Sequence, residues 1–197
     1  MVPPTPKRRA IAGDKREAIM QAALELFVER GYHGTAVPHV AERAGVGAGT
    51  IYRYFANKEG LVNALYQSYK EQAGRELLET MRVDAPAREQ FSQFWACMKH
   101  FVQEHPQAFA FLELHHHASY LDATSREVEL RLRTFVVGFI EHTQERGEIK
   151  RIQPDVLIGI VLGIFIGVVR QSWEGHLELT DDAFAAAERC CWEAIRI

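Results

Sequence analysis

Apolar residues recur along this chain with the period of an α-helix. Between Asp14 and Gly31 they are spaced three or four residues apart, which places them on one face of a helix that the glycine ends. Similar stretches follow towards the C-terminus, separated by proline, glycine or a capping residue, and no alternating strand pattern of useful length lies between them. The pattern therefore predicts an all-α fold of about nine helices.

Capping signals predict where several of these helices begin. Thr35 stands at the N-cap position of a short second helix, and Asn57 caps a long fourth helix that starts at residue 58. Thr124 and Glu127 have the spacing of a capping box for the seventh helix, and Thr180 caps the ninth. Each of these side chains would satisfy backbone N–H groups that the first turn of a helix leaves without partners.

Charge is distributed unevenly along the chain. The 197 residues are 47% apolar and 25% charged, which is typical of a soluble protein and excludes disorder over most of the chain. The formal net charge is −3, but residues 1–60 hold nine Lys or Arg against six Asp or Glu, whereas residues 61–197 hold fourteen against twenty. A basic N-terminal part on an acidic body indicates contact with nucleic acid or another anionic surface.

Cellular location follows from three further features. The cysteines at 97, 190 and 191 lack the spacing of a disulfide framework, which fits a reducing cytosol. No apolar stretch follows the basic residues 7–9, so we expect no signal peptide. The longest apolar run, residues 156–169, is shorter than the ~18 residues that span a bilayer. We therefore expect a cytoplasmic protein, with membrane association through this run as an alternative.

Two short helices joined by residues 45–47 form the outline of a helix-turn-helix, which places its second helix in the major groove of DNA. Gly45 permits the sharp turn, and Val46 fills the core between the helices. Ala48 and Gly49 leave the start of the second helix almost without side chains. Its backbone can therefore come close to a phosphate or to a base edge.

The 47 residues from Lys15 to Leu61 closely resemble the DNA-binding domain of the tetracycline repressor (TetR) family. The resemblance implies an all-α homodimer whose first three helices bind a double-stranded DNA operator and whose other helices form a dimer interface and a pocket for a small-molecule inducer. It rests on Ile19, Ala22, Ala23, Leu26, Phe27, Gly31, Tyr32, Thr35, Val40, Ala41, Ala44, Gly45, Val46, Gly49, Thr50, Ile51, Tyr52, Tyr54, Phe55 and Lys58. Two departures are Gly47, where family members usually have a serine-like cap, and Tyr54, where histidine is common.

The domain organisation follows from this resemblance and from composition. We expect a flexible basic arm over residues 1–13, whose basic residues either follow a DNA groove or only aid solubility. A helix-turn-helix domain over 14–57 and a ligand-binding and dimerisation domain over 58–197 would follow. The fourth helix would be the lever between them, because it alone would join the two.

The resemblance assigns DNA contacts to individual residues. Phosphate contacts go to Thr35, Tyr52, Tyr54 and Lys58, and groove contacts go to Ala48, Gly49, Thr50 and Arg53. Base reading would rest on Arg53 against a guanine and on Thr50 or Ala48 against a thymine methyl group. Simpler interpretations stay open, namely Tyr52 as a core aromatic, Arg53 as a solvated charge and Lys58 as the partner of a neighbouring residue.

The acidic body is rich in aromatic residues that would line an apolar pocket. The candidate pocket residues are Phe94, Trp95, Met98, Phe101, His117, Phe135, Phe139 and Trp173. Core packing explains the same stripe, and the family resemblance favours the pocket. We expect an apolar or aromatic inducer.

Three consecutive histidines, His115–His117, are a candidate metal site. Consecutive helical residues point about 100° apart, so the three side chains cannot all bind one metal ion. A polar pocket wall, hydrogen bonds between helices and solvated surface are the other interpretations. We expect no metal and no cofactor, and the competing hypothesis is an all-α metal-dependent enzyme or metal sensor that uses this cluster.

The eighth helix has Gly159, Gly163 and Gly167 along one edge. Glycine inside a helix costs about 1 kcal/mol relative to alanine, so three of them suggest a groove where another helix comes close. The resemblance implies that the last two helices form a four-helix bundle with their copies, and Phe184, Cys191 and Ile195 are the matching stripe on the ninth. Packing within one chain is the alternative. The overall hypothesis is a ligand-responsive repressor, not an enzyme, that binds a pseudo-palindromic operator as a homodimer.

Overall fold

The computed structural model describes residues 12–114 and 119–197. Over these ranges the regular structure consists of nine helices, and two residues, Ile149 and Arg196, form an isolated antiparallel bridge. The all-α prediction is therefore confirmed. The helices are α1 (Ala12–Gly34), α2 (Val37–Arg43), α3 (Ala48–Tyr54), α4 (Lys58–Thr80), α5 (Ala87–Glu104), α6 (Pro106–Leu114), α7 (Ala123–Glu145), α8 (Pro154–Trp173) and α9 (Asp181–Ile195).

Two predicted features lie partly or wholly outside the described residues. The basic arm, residues 1–13, is described only from Ala12, where α1 already begins. The histidine cluster at 115–117 lies in the gap between the two described ranges.

Two of the predicted helix caps are confirmed by hydrogen bonds. The Oδ1 atom of Asn57 accepts the backbone N–H of Gly60 at 2.7 Å, at the start of α4. The hydroxyl oxygen of Thr180 accepts the N–H of Ala183 at 3.2 Å, at the start of α9. Such bonds satisfy first-turn donors and set the point at which each helix begins.

The other two predicted caps are wrong. Ala36, not Thr35, occupies the N-cap position of α2 and makes no side-chain cap bond. Since α7 begins at Ala123, Thr124 already lies inside it, and Asp122 Oδ1 accepts the N–H of Ser125 at 2.8 Å. The hydroxyl of Thr35 is instead bonded to carbonyl oxygens of α1, and α7 starts one residue earlier than a cap at Thr124 requires.

The chain divides into two compact units. The first comprises residues up to Tyr69 together with residues 107–125, and the second comprises residues 70–106 and 126–197. The first unit therefore extends well beyond the boundary expected at residue 57. The chain passes between the units at residues 69–70, 106–107 and 125–126. The expectation that the fourth helix alone joins the two parts is wrong.

Each unit has its own aromatic core. In the first, Phe27 of α1 stacks on Phe111 of α6 with ring centroids 6.2 Å apart. In the second, Trp95 of α5 meets the ring of Phe165 on α8 edge-on at 5.1 Å, and Phe165 lies 5.9 Å from Phe184 on α9. These contacts hold α5, α8 and α9 together by burial of large apolar side chains.

Candidate DNA-binding surface and sensor helices

A sharp turn joins α2 to α3. Gly45 has the left-handed φ of 64° that a side chain would strain. Its N–H donates to the carbonyl of Glu42 at 3.1 Å, and the N–H of Val46 donates to the carbonyl of Ala41 at 2.9 Å. This pair of bonds closes the end of α2 and redirects the chain, so α3 starts after a four-residue connection, residues 44–47, one residue longer than the sequence predicted.

The recognition helix α3 turns most of its surface outwards. Of its seven residues, Ile51 is the buried one. Ala48, Gly49, Tyr52 and Arg53 are exposed, whereas Thr50 and Tyr54 are half-buried. Gly47 is the N-cap residue of the helix and makes no side-chain cap bond, as expected for a glycine in place of serine. Six of the residues predicted to meet DNA are thus grouped on one short helix.

Tyr52 is 55% exposed. A core aromatic would be buried, so that interpretation of Tyr52 is excluded. Arg53 is exposed on the same helix, which agrees both with a base-reading residue and with a solvated charge.

Lys58 is half-buried at the start of α4. Its Nζ donates to the carbonyl oxygen of Thr35 at 2.8 Å and lies 4.1 Å from the centre of the Tyr32 ring. Burial lowers the pKa of the ammonium group. A lysine has three N–H donors, so the bond to Thr35 leaves donors for a phosphate. The structure therefore gives Lys58 a neighbour to pair with and does not exclude a DNA contact.

Thr35 is placed differently from the other predicted contacts. It is 1% exposed, and its hydroxyl donates to the carbonyl oxygens of Leu26 at 3.0 Å and Gly31 at 2.9 Å. The side chain is thus used to hold the kinked end of α1, where Gly31 has a φ of 68°. The hydroxyl hydrogen of Thr35 is therefore already used within the protein and is not free for the predicted phosphate contact.

Sequence reasoning missed an ion-pair cluster behind the helix-turn-helix. Arg43 of α2 donates two parallel bonds to Glu29 of α1, at 2.9 and 3.1 Å, and a third to Glu25 at 3.1 Å. The hydrogen bond to Arg43 lowers the pKa of Glu29, and bonds to Glu29 and Glu25 raise that of Arg43. This guanidinium ties α2 to α1, and its spacing from the two carboxylates in the sequence gave no signal for the contact.

Burial divides the predicted pocket residues in the second unit. Trp95 and Phe101 are buried, and the indole N–H of Trp95 donates to the carbonyl of Phe184 at 3.2 Å, so Trp95 belongs to the core. Trp173 is 41% exposed. Phe94, Met98, Phe135 and Phe139 are half-buried, and His117 lies outside the described residues. The half-buried four remain the pocket candidates.

A polar cluster between α4 and α5 was not predicted. Gln72 Nε2 lies 2.9 Å from Glu76 Oε1 and 2.7 Å from His105 Nε2, and the His105 ring is 4.0 Å from the same carboxylate. The other carboxylate oxygen of Glu76, Oε2, is buried without a hydrogen-bond partner among the described residues. Burial, and the negative charge of Glu76, raise the pKa of the nearby Cys97 thiol. The second unit thus has half-buried polar groups beside apolar ones.

The exposed face of α8 is apolar. Within this 20-residue helix Leu157, Phe165 and Val169 are buried. Gly159, Gly163 and Gly167 are exposed, and a Cβ atom added at any of them meets nothing within 4 Å. Packing of these glycines within one chain is therefore excluded for the described residues.

The apolar stripe on α9, unlike the line of glycines on α8, is not exposed. Phe184, Cys191 and Ile195 are already buried within their own subunit, which does not support their assignment to a dimer contact. Sequence periodicity found the apolar side of α9 correctly, but α5 and α8 cover that side.

Membrane association and metal binding are the two alternatives to a DNA-binding protein. The 20-residue α8 is long and apolar enough to cross a bilayer by length and composition alone, although the 14-residue run inside it suggested otherwise. No group of three or more His, Cys, Asp or Glu in residues 12–114 and 119–197 is placed to hold a metal ion.

Comparison with known proteins distinguishes the DNA-binding regulator from the metal-dependent enzyme. Residues 19–65 match the family model for bacterial regulatory proteins of the tetR family, and residues 66–197 match the model described as tetracyclin repressor-like, C-terminal domain. The chain belongs to the tetracycline repressor family. It is therefore a DNA-binding transcriptional regulator of that family, and the metal-dependent enzyme has no support.

Individual relatives agree with the family model. The chain is 23% identical over 174 residues to the uncharacterized HTH-type transcriptional regulator YhgD of Bacillus subtilis, covering 87% of this chain and 91% of the relative. It is 37% identical over 83 residues, 42% of each chain, to the fatty acid metabolism regulator protein of the same organism. A TetR family regulator from Marinobacter aquaeolei has the same fold, with a TM-score of 0.83 at 21% identity over 93% of this chain and 96% of that one. The fatty acid degradation regulator FadR from Bacillus halodurans has a TM-score of 0.74 at 20% identity over 94% and 97%.

Proposed function

We propose that this TetR family regulator is a homodimeric repressor that binds a pseudo-palindromic operator and releases it when a small apolar molecule binds the second unit. The exposed recognition helix α3 carries the proposal, because its polar and basic residues face outwards while Ile51 anchors it. In a dimer two such helices would enter successive major grooves about 34 Å apart.

The roles of the individual residues follow from their exposure. Arg53 would pair with a guanine edge, and Thr50 or Ala48 would contact a thymine methyl group. Tyr52, Tyr54 and Lys58 would donate to phosphates, and Ala48 and Gly49 would permit close approach of the backbone. Thr35 would act indirectly, through the carbonyl oxygen that accepts Lys58.

The dimer would form through α8. Its apolar face is exposed along the line of Gly159, Gly163 and Gly167, and exposed apolar surface of this extent on a regulator is typical of a protein interface. Glycines along that line would let the same helix of a second copy approach closely. Burial in the dimer would also explain a helix as apolar as α8 without a membrane.

The ligand would lie in the second unit, near the half-buried Phe94, Met98, Phe135 and Phe139. The cluster of Gln72, Glu76 and His105 would bind a hydroxyl or protonated carboxyl group at its polar end, because Glu76 Oε2 is buried and still able to accept a hydrogen bond. Relatives named for fatty acid metabolism and degradation make an aliphatic acyl compound the first inducer to test. A cytoplasmic location and the lack of enzymatic activity belong to the same proposal.

Selection of bound fragments from a random DNA pool tests the repressor hypothesis. We expect enrichment of inverted repeats with half-sites about one helical turn apart. A double variant, Tyr52→Ala with Arg53→Ala, serves as the control and should enrich nothing. Equal enrichment by the wild type and this variant would contradict the assignment of α3 as the reading helix.

A further inference from the structure

Residues 119–125, which end in the first turn of α7, belong to the same compact unit as the helix-turn-helix. We call them the 119–125 segment. In sequence they lie more than 50 positions beyond the helix-turn-helix, so they belong to the part expected to bind ligand. Their contacts within the first unit link them to α4 and α1.

The side chain of Asn63 on α4 holds this segment. Its Nδ2 donates to the carbonyl of Glu59 at 2.8 Å and to that of Tyr120 at 2.9 Å. Its Oδ1 accepts the N–H of Asp122 at 2.9 Å and the hydroxyl of Ser125 at 2.7 Å. Asn63 is 3% exposed and Ser125 is fully buried. An asparagine side chain offers two donors, and both are used, together with two bonds to its oxygen.

The ring of Tyr120 carries the contact on to α1. It stacks on the ring of Tyr32, with centroids 4.2 Å apart and planes inclined by 19°. The Nζ of Lys58 lies 4.1 Å from the centre of the same Tyr32 ring and donates to the carbonyl of Thr35. A chain of direct contacts thus runs from Asn63 through Tyr120 and Tyr32 to Lys58.

We propose that Asn63 and Tyr120 are positioning residues for operator binding. They hold the 119–125 segment against α4 and α1, so that the Tyr32 ring keeps the Lys58 ammonium group at the start of α4, where it meets a phosphate. The proposal rests on the proposed function, since it needs the contact between Lys58 and DNA. It means that the DNA-binding surface is completed by residues far outside the helix-turn-helix.

The test compares four single variants and one double variant of the full-length protein on a selected operator, by fluorescence anisotropy across a range of salt concentrations. Lys58→Ala removes the contact, and Tyr120→Leu removes the stack. Tyr120→Phe keeps the ring and is the matched control. Asn63→Asp keeps the shape of the side chain but loses both donors. Thermal melting and size exclusion establish that the compared samples are folded dimers.

We expect Tyr120→Leu and Asn63→Asp to weaken operator binding about tenfold and to reduce the salt slope by about two ions per dimer, as Lys58→Ala does. Tyr120→Phe should bind like the wild type. The double variant with Lys58→Ala and Tyr120→Leu should bind no more weakly than Lys58→Ala alone, because both changes remove one interaction. A purely structural role would lower the melting temperature and leave the salt slope of the folded protein unchanged.

Two results overturn the proposal and can be told apart. If Lys58→Ala weakens binding while folded Tyr120→Leu and Asn63→Asp keep the wild-type slope, the positioning role is wrong and the proposed function stands. If Lys58→Ala itself leaves affinity and slope unchanged, the phosphate contact and the positioning role are both wrong. Should Tyr120→Leu fail to fold, Asn63→Asp decides by the same criterion.

Discussion

The helices α3 and α8 differ in what they expose. The seven residues of α3 leave small, hydroxyl-bearing and basic side chains outside, with Ile51 as the buried anchor. Along α8, Val156 and three glycines are exposed, and the isoleucines beside them are half-buried. A hydrated phosphate backbone attracts the first kind of surface, whereas water disfavours the second until another apolar face covers it.

This difference shows that exposure alone does not indicate a partner, and that the chemistry of the exposed atoms does. Contacts through α3 should weaken steeply with salt, because counterions are released when phosphates are neutralised. Contacts through α8 should be almost insensitive to salt, since they remove apolar surface from water. The following predictions separate the two surfaces, from the largest effect to the smallest.

The largest effect is expected from Gly163→Leu in α8. Gly163 is exposed and a Cβ atom added there meets nothing within 4 Å inside the subunit, so the subunit should fold, and leucine favours helix more than glycine does. Between two copies the added side chain would overpack the interface by about 2 to 6 kcal/mol per dimer, since both copies carry it, and raise the dimer dissociation constant at least about 30-fold. Sedimentation measures this constant.

Gly138→Leu in α7 is the matched control for this change. Gly138 is also an exposed helical glycine with nothing within 4 Å of an added side chain. This variant should remain a normal dimer. If Gly163→Leu also sediments as the wild-type dimer does, α8 is not the interface at that position.

The next effect concerns α3. Tyr52→Ala together with Lys58→Ala should weaken operator binding at least about tenfold at about 0.1 M salt and lower the salt slope, because a phosphate contact and a charge are lost in each half-site. Gel-shift titration across salt measures both quantities. Arg75→Ala removes an exposed charge at the far end of α4 and should change neither. An unchanged salt slope in the double variant would remove Lys58 from the DNA contact.

Thr35→Val should act on stability and not on DNA binding. The buried hydroxyl holds the end of α1, so its loss should lower the free energy of unfolding by about 1 to 3 kcal/mol per subunit. Thr35→Ser keeps the hydroxyl and should lose less. Denaturant unfolding and operator titration are to be compared. A loss of affinity at unchanged stability would instead place the hydroxyl on a phosphate.

The smallest effect is expected for Glu29→Gln behind the helix-turn-helix. The hydrogen bond to Arg43 lowers the pKa of Glu29 from 4.5, so its charge stabilises the folded state above that pH. The stabilisation is lost as the pH falls through the lowered value. The difference in stability between wild type and variant should therefore be constant near neutral pH and disappear in acid. Glu79→Gln removes an exposed carboxylate on α4 and is the control variant for the loss of one negative charge.

Local signals explain why the helix-turn-helix could be predicted. The turn is closed by backbone bonds of Gly45 and Val46 to residues three and five positions earlier, respectively. The burial of Ile51 follows from the spacing of apolar residues. Such interactions are contained in a short stretch of sequence, so the position of α3 was predicted correctly. Thr35 was misplaced, because its hydroxyl is used by Leu26 nine positions away after α1 kinks.

The sequence by itself determined the helices, the turn between α2 and α3 and the chemistry of the surfaces, because these depend on neighbouring residues. Only the tertiary structure decided which surfaces are covered. It showed that Cys191 is buried within its own subunit while Gly163 is open, and it joined Asn63 to Tyr120 across 57 positions. Burial and long-range hydrogen bonds depend on which helices pack together, and that information is spread over the whole chain.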